Sequence, residues 1–197
     1  MKIYDISQEL FGCVVFPGDP APKRERLMTI EDGAVCNLTA LSMCAHNGTH
    51  VDAPYHFYAD GATVERLPLS KMVGYAYVTE HQGVITAEDA EWILVAARLA
   101  GAEAAKRILI KGNATLSLEA AKIFSKAKLE LFGNESQTVG PEDAPMAVHL
   151  ELLGVGTVLL EGIRLQDVPE GKYLLNAAPI SLAGSDGAPC RAILIEL

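Results

Sequence analysis

The sequence predicts an α/β or α+β chain folded as a single domain over residues 1–197, and three observations carry that expectation. Half of the 197 residues are hydrophobic (50%), enough for one sizeable core and too many for a disordered chain. Short apolar runs of strand length, such as Arg107 to Lys111 and Thr157 to Glu161, recur along it. Between them lie stretches whose apolar residues repeat at helical spacing, and alternation of the two kinds indicates helices layered on a sheet.

Taken in order, Met1 to Glu9 reads as a short strand entering a loop, with Phe16-Pro17-Gly18-Asp19-Pro20 supplying turn chemistry. Residues 24 to 31 form a second strand, and Asp32-Gly33 is a hairpin-type turn. Cys36 to His46 is the strongest strand signal; both of its faces are mostly apolar, so it is expected at the centre of the sheet. A strand is expected near Tyr75 to Thr79. Thr86-Ala87-Glu88-Asp89 resembles a capping box opening a helix of about 86 to 100, in which Ala90, Ile93, Leu94 and Ala97 share a face. Arg107 to Lys111 is a compact strand, Ser117 caps the next helix, and Leu129 to Phe132 is another short strand. A helix from about Pro141 to Leu153 follows, since proline suits its first turn and Gly154 its end. The strands Thr157 to Glu161, Tyr173 to Ile180 and Arg191 to Leu197 complete the chain, with Ser185-Asp186-Gly187-Ala188-Pro189 read as a turn.

The chemistry is concentrated in HNGTHVDAPYHF, His46 to Phe57. Imidazoles and a carboxylate are the ligands expected of a borderline divalent ion such as zinc, and His46, His50 and Asp52 leave room for water beside it. In a straight strand His46 and His50 would stand roughly 13 Å apart, too far to share an ion, so the chain must bend between them. Gly48 is the residue that bends it without steric cost. His56 lies beyond Pro54 and is a candidate proton carrier or a fourth ligand. Further on, His149 sits within a helical run, and Glu161 ends an apolar strand where a carboxylate needs a compensating charge.

This string resembles the HxGTHxDxPxHF signature of the metal-dependent cyclase family, which includes bacterial kynurenine formamidases and isatin hydrolases. The HxxLLG and LLEG segments around His149 and Glu161 and the DVPEGxY and DGxPxRA patterns are also similar to that family, whereas residues 110 to 140 depart from it, lacking a longer aromatic-rich segment. The resemblance implies a swivelling β/β/α fold with a mixed β-sheet covered by helices, assembled as a homodimer or homotetramer. It implies one or two divalent ions, zinc first and manganese as the alternative, held by His46, His50, Asp52, His149 and Glu161. His56 is the implied acid-base catalyst, with Phe16 and Phe57 against the substrate. The expected reaction is hydrolysis of the C–N bond of a small amide or cyclic amide, with an aryl formamide, an isatin-like ring, an imide or a lactone as the candidate substrates. A lyase or dehydratase with the same ligands and a closed structural metal site are the alternatives.

Composition narrows the partners. A formal charge of −9 argues against nucleic acid and anionic membranes, which need basic patches. No apolar run is long enough to span a bilayer and the start lacks a signal-peptide core, so a cytoplasmic location is expected. Cys13, Cys36, Cys44 and Cys190 form no CxxC pair and read as reduced thiols.

Overall fold

A computed structural model describes residues 1–197. Its elements in chain order are β1 (Lys2–Asp5), β2 (Lys23–Met28), β3 (Leu38–Ser42), β4 (His50–Asp52), β5 (Val73–Glu80), β6 (Gly83–Ile85) and α1 (Ala87–Ala100). There follow β7 (Arg107–Lys111), β8 (Ala114–Leu116), α2 (Leu118–Ala127), β9 (Leu131–Asn134) and α3 (Met146–Gly154). The chain closes with β10 (Val158–Glu161), β11 (Gly171–Asn176), β12 (Gly187–Pro189) and β13 (Ile193–Glu196).

Nine strands form one mixed sheet in the order β1-β13-β11-β5-β7-β9-β10-β4-β12. Its centre, β5-β7-β9-β10, is parallel, and each parallel step is bridged by one of the three helices. Antiparallel strands flank that centre on both sides. The architecture is α/β.

The period of two along each strand sorts the interior into two cores. Ile108 and Ile110, Phe132 and Leu159 pack with Phe124, Leu94 and Leu152 of the helices. Their neighbours Leu109, Leu131, Val158 and Leu160 join Val51, Ala76, Val78 and Leu175 in the other core. This alternation aims the site: Glu161 is two residues after Leu159 and so shares the helix-facing side. In the antiparallel register Glu161 lies opposite His50 and Leu159 opposite Asp52.

The helix starts follow local chemistry. Thr86 and Asp89 form a reciprocal capping box at α1, and Ser117 caps α2 through the amide of Ala120. The helix α3 begins at Met146 rather than near Pro141. Pro145 takes the N-cap position, and a proline disfavours helical geometry in the residue before it, so PEDAP cannot form the first turns.

One expectation fails clearly. The Cys36 to His46 run is not a central strand: only Leu38–Ser42 is extended, and it pairs with β2 alone in a two-stranded ribbon. The ribbon turns at Gly33 (φ 89°), as Asp32-Gly33 suggested, but Leu27, Met28, Leu38 and Leu41 stay exposed. Apolarity on both faces specifies that something covers a strand without specifying that the cover lies in the same chain. The short strands β6, β8 and β12 were not expected, being three residues each and stabilised by pairing rather than by a periodic pattern.

Candidate active site

Three backbone features bring the predicted residues together. Gly48 adopts φ 69°, the left-handed bend required between His46 and His50, and the two rings end edge to face with centroids 5.0 Å apart. Thr49 next to it donates its hydroxyl to the Gly162 carbonyl at 2.7 Å and accepts from the Gln8 amide, fixing the bend against the end of β10. Then β4 presents His50 and Asp52 on the side shared with Glu161, while α3 lowers His149 onto them from the helix layer.

The result is a buried floor of opposed charges. His149 Nε2 lies 3.2 Å from Glu161 Oε1 and 3.6 Å from Asp52 Oδ2; His50 Nε2 lies 3.3 Å from Asp52 Oδ1 and 3.4 Å from Glu161 Oε2. His46 Nδ1 reaches Asp52 Oδ1 at 2.9 Å. The side chains of His50 and Asp52 are only 1% exposed. Exposure then rises through His46 to His56 at 28% and Asp186 at 40%, so the cluster opens to solvent on that side.

The imidazoles are oriented by their outer nitrogens. His50 donates Nδ1–H to the Gly48 carbonyl at 3.0 Å, and His149 donates Nδ1–H to the Pro145 carbonyl at 2.9 Å, which leaves Nε2 of each directed inward. Despite the short distances, His50 Nε2 and Asp52 Oδ2 have no aligned hydrogen-bond partner. Two fully buried polar atoms left this way are costly unless a further group completes them.

Electrostatics point the same way. Burial opposes charge on His46, His50 and His149, yet the carboxylates beside them overcome it. They raise His46 to about 11 through Asp186 and Asp52, His50 to about 9 through Asp52 and Glu161, and His149 to about 10 through the same two acids. Asp52 is held well below the usual carboxylate range against its own burial by the imidazoles of His149, His46 and His50 around it. Glu161 is lowered by His149 and His50 against both burial and the Asp52 charge. The floor therefore demands positive charge. Donor atoms of Asp52, His149 and Glu161, and of His46, His50 and Asp52, lie within 4.8 Å of one another in two groups sharing Asp52. Nitrogen and oxygen donors aimed at one point, with orphaned acceptor and donor atoms among them, fit a divalent cation.

His56 sits in a short helical turn, Pro54–His56, with its ring 4.1 Å from that of His46 and 6.1 Å from that of His149. Phe57 packs its ring 4.6 Å from His56 and 4.8 Å from His149, lining the site. Phe16 lies on the loop before β2, where its carbonyl accepts from the Asp19 amide, and its ring pairs with none of the imidazoles. The residue that sequence reasoning missed is Asp186. Its Oδ2 lies 2.8 Å from His46 Nε2 and 3.2 Å from His56 Nδ1, and within Ser-Asp-Gly it had passed for turn chemistry. The only available signal was a carboxylate beside a glycine in the DGxPxRA pattern.

The chain matches a family described as putative cyclase over residues 4–141. It is 31% identical over 210 residues to a kynurenine formamidase of Erythrobacter litoralis strain HTCC2594, covering all of this chain and 94% of that protein. It is 34% identical over 207 residues to a kynurenine formamidase of Bacillus cytotoxicus, covering 98% and 97%. Among solved structures, a potential metal-dependent hydrolase with cyclase activity superposes with a TM-score of 0.81 at 28% identity, covering 98% of this chain and 96% of that one. Isatin hydrolase A of Labrenzia aggregata superposes with a TM-score of 0.83 at 20% identity over 98% and 93%, a likeness of fold.

Proposed function

The chain belongs to the cyclase family and is an amidohydrolase, and from that premise we propose that it cleaves the C–N bond of a small aryl formamide or isatin-like cyclic amide with the help of a divalent ion. The observation that carries this reading is the buried cluster of imidazoles and carboxylates on two strands, one helix and the loop bearing His46, with His50 Nε2 and Asp52 Oδ2 unpartnered at its centre. His46, His50, Asp52, His149 and Glu161 would hold the ion, zinc in preference to manganese, as one ion or as two sharing Asp52. When bound, such an ion lowers the pKa of water from 15.7 toward about 7 and polarises a carbonyl.

The chain's own residues do the rest. His56, at the open side of the cluster, takes a proton from water as the new C–O bond forms and delivers it to the amide nitrogen as the C–N bond breaks. Phe57 offers an aromatic face beside it, and Phe16 is the second wall in this reading. The substrate is a small molecule. Assembly as a homodimer or homotetramer is supported by the exposed Leu27, Met28, Leu38 and Leu41 of the ribbon, which a second copy would cover. No helix is long and apolar enough to cross a membrane.

The test is elemental analysis of the purified protein, followed by a screen of formamides and cyclic amides with zinc or manganese restored to chelated protein. Hydrolysis in 18O-labelled water places one solvent oxygen in the carboxylate product. An absence of any activating ion, or product without solvent oxygen, would remove this reading.

A further inference from the structure

We propose that Asp186 is the positioning residue for His56: it fixes which nitrogen of the imidazole faces the reacting bond and links that ring to His46. The inference deepens the hydrolase reading and rests on it. Four imidazoles surround the cluster, and their outer anchors differ in kind. Those of His50 and His149 are neutral backbone carbonyls. His56 instead faces a carboxylate, Asp186 Oδ2 at 3.2 Å, and the same oxygen lies 2.8 Å from His46 Nε2.

An ionised carboxylate only accepts, so both ring nitrogens that touch it must carry hydrogen. Asp186 is 40% exposed, and an aspartate so placed is ionised at neutral pH. In neutral His56 the lone pair is then on Nε2. The carboxylate accepts from Nδ1 whether or not Nε2 carries a proton, so the ring keeps its orientation while Nε2 takes and gives one. For His46 the same bond leaves Nδ1 turned toward Asp52.

The backbone holds this geometry. Ala53 donates to the Asp186 carbonyl and Val64 to the Ser185 carbonyl, each at 2.9 Å, so the loop bearing Asp186 is stitched to both sides of the turn bearing His56. Gly187 completes the seat: a Cβ there would lie 2.8 Å from His46 Cε1. Its missing side chain admits the ring that Asp186 tethers.

Asp186→Ala and the isosteric Asp186→Asn test the assignment. Bound ion per chain should equal wild type, kcat on formanilide should fall about 10- to 100-fold, and KM should stay within about twofold. The loss should shrink for aryl formate esters, whose phenoxide leaving groups depart without a proton. In chelated Asp186→Ala, long-range 1H–15N spectra should show His56 moved from the Nδ1–H to the Nε2–H tautomer. Unchanged kcat, an equal loss with every leaving group, an unmoved tautomer, or ion lost in step with activity would overturn the proposal; the last would make Asp186 a ligand. If Asp186→Ala does not fold, the leaving-group series with Asp186→Asn decides. If wild type hydrolyses no formamide, the activity reading fails, while the tautomer spectra still decide Asp186.

Discussion

Two places in this molecule bury charge, and they do it in opposite ways. Arg107, 4% exposed at the start of β7, has a partner for every guanidinium nitrogen: Nε donates to the Lys71 carbonyl at 2.9 Å, Nη1 to that of Tyr75 at 3.2 Å, and Nη2 to the Ser70 carbonyl and Glu130. Gly74 leaves room for it. The cluster on β4, β10 and α3 holds two carboxylates and three imidazoles, yet leaves His50 Nε2 and Asp52 Oδ2 without partners. A satisfied buried charge ties chain segments together, whereas an unsatisfied one is stable only with something added. The contrast separates a structural knot from a reaction centre without reference to any relative.

That contrast can be broken by substitution. Asp52→Ala should have the largest effect, loss of the bound ion and with it of all turnover, because Asp52 belongs to both buried donor groups, whereas the third group, His46, His56 and Asp186, lies nearer solvent. Full ion occupancy measured by elemental analysis would mean the ligand set is wrong. His56→Ala should keep the ion and lose turnover by about a hundredfold or more, the usual cost of a missing acid-base group. Arg107→Ala should do the reverse. It should lower unfolding stability by about 3 to 5 kcal/mol in urea titrations while leaving ion content and the turnover of folded protein near wild type.

A pH experiment sharpens the comparison further. In chelated protein, His46, His50 and His149 have folded pKa values of about 11, 9 and 10 against an ordinary 6.5. Raised values mean that folding binds protons. Their contribution is complete below pH 6.5 and is lost as pH climbs through about 9 to 11. Asp52 and Glu161 are lowered, so theirs is present above their ordinary values of 3.8 and 4.5 and lost on acidification. Tm of the chelated protein should thus peak between about pH 4.5 and 6.5 and decline toward pH 10, and added zinc should flatten the alkaline decline. An unchanged alkaline slope with zinc would show that the ion does not replace these protons. The smallest effect concerns thiols: burial pushes Cys190 up to about 12, so it should react only on unfolding, while exposed Cys36 is labelled at once.

Legibility in the sequence followed the range of the cause. Residues whose roles are set by neighbours within a few positions could be read: Gly48 as the bend, Thr86 and Ser117 as caps, and Gly33 as the ribbon turn. The apolar runs Arg107 to Lys111 and Thr157 to Glu161 could likewise be read as strands, whereas which of their faces meets the helices could not. What could not be read depended on pairing between distant segments. Cys36 to His46 has the composition of a buried strand, but only the sheet topology says that it stands outside with β2. Asp186 approaches His56 across 130 positions of chain, and nothing local distinguishes it from a turn aspartate. The convergence of His149 and Glu161 with Asp52 was expected from family resemblance, while the register of Glu161 opposite His50 supplies its physical cause.

The strand β4 is three residues long and second from the sheet's edge, with only the equally short β12 beyond it. So brief a ladder contributes few amide bonds, and the groups it carries are held to β10 and α3 by their inward side chains as much as by its backbone. The rim of the sheet and its cargo of ligands should accordingly loosen and tighten as one unit. Deuterium uptake at Val51 and Ala188 then becomes a direct gauge of whether the centre is filled.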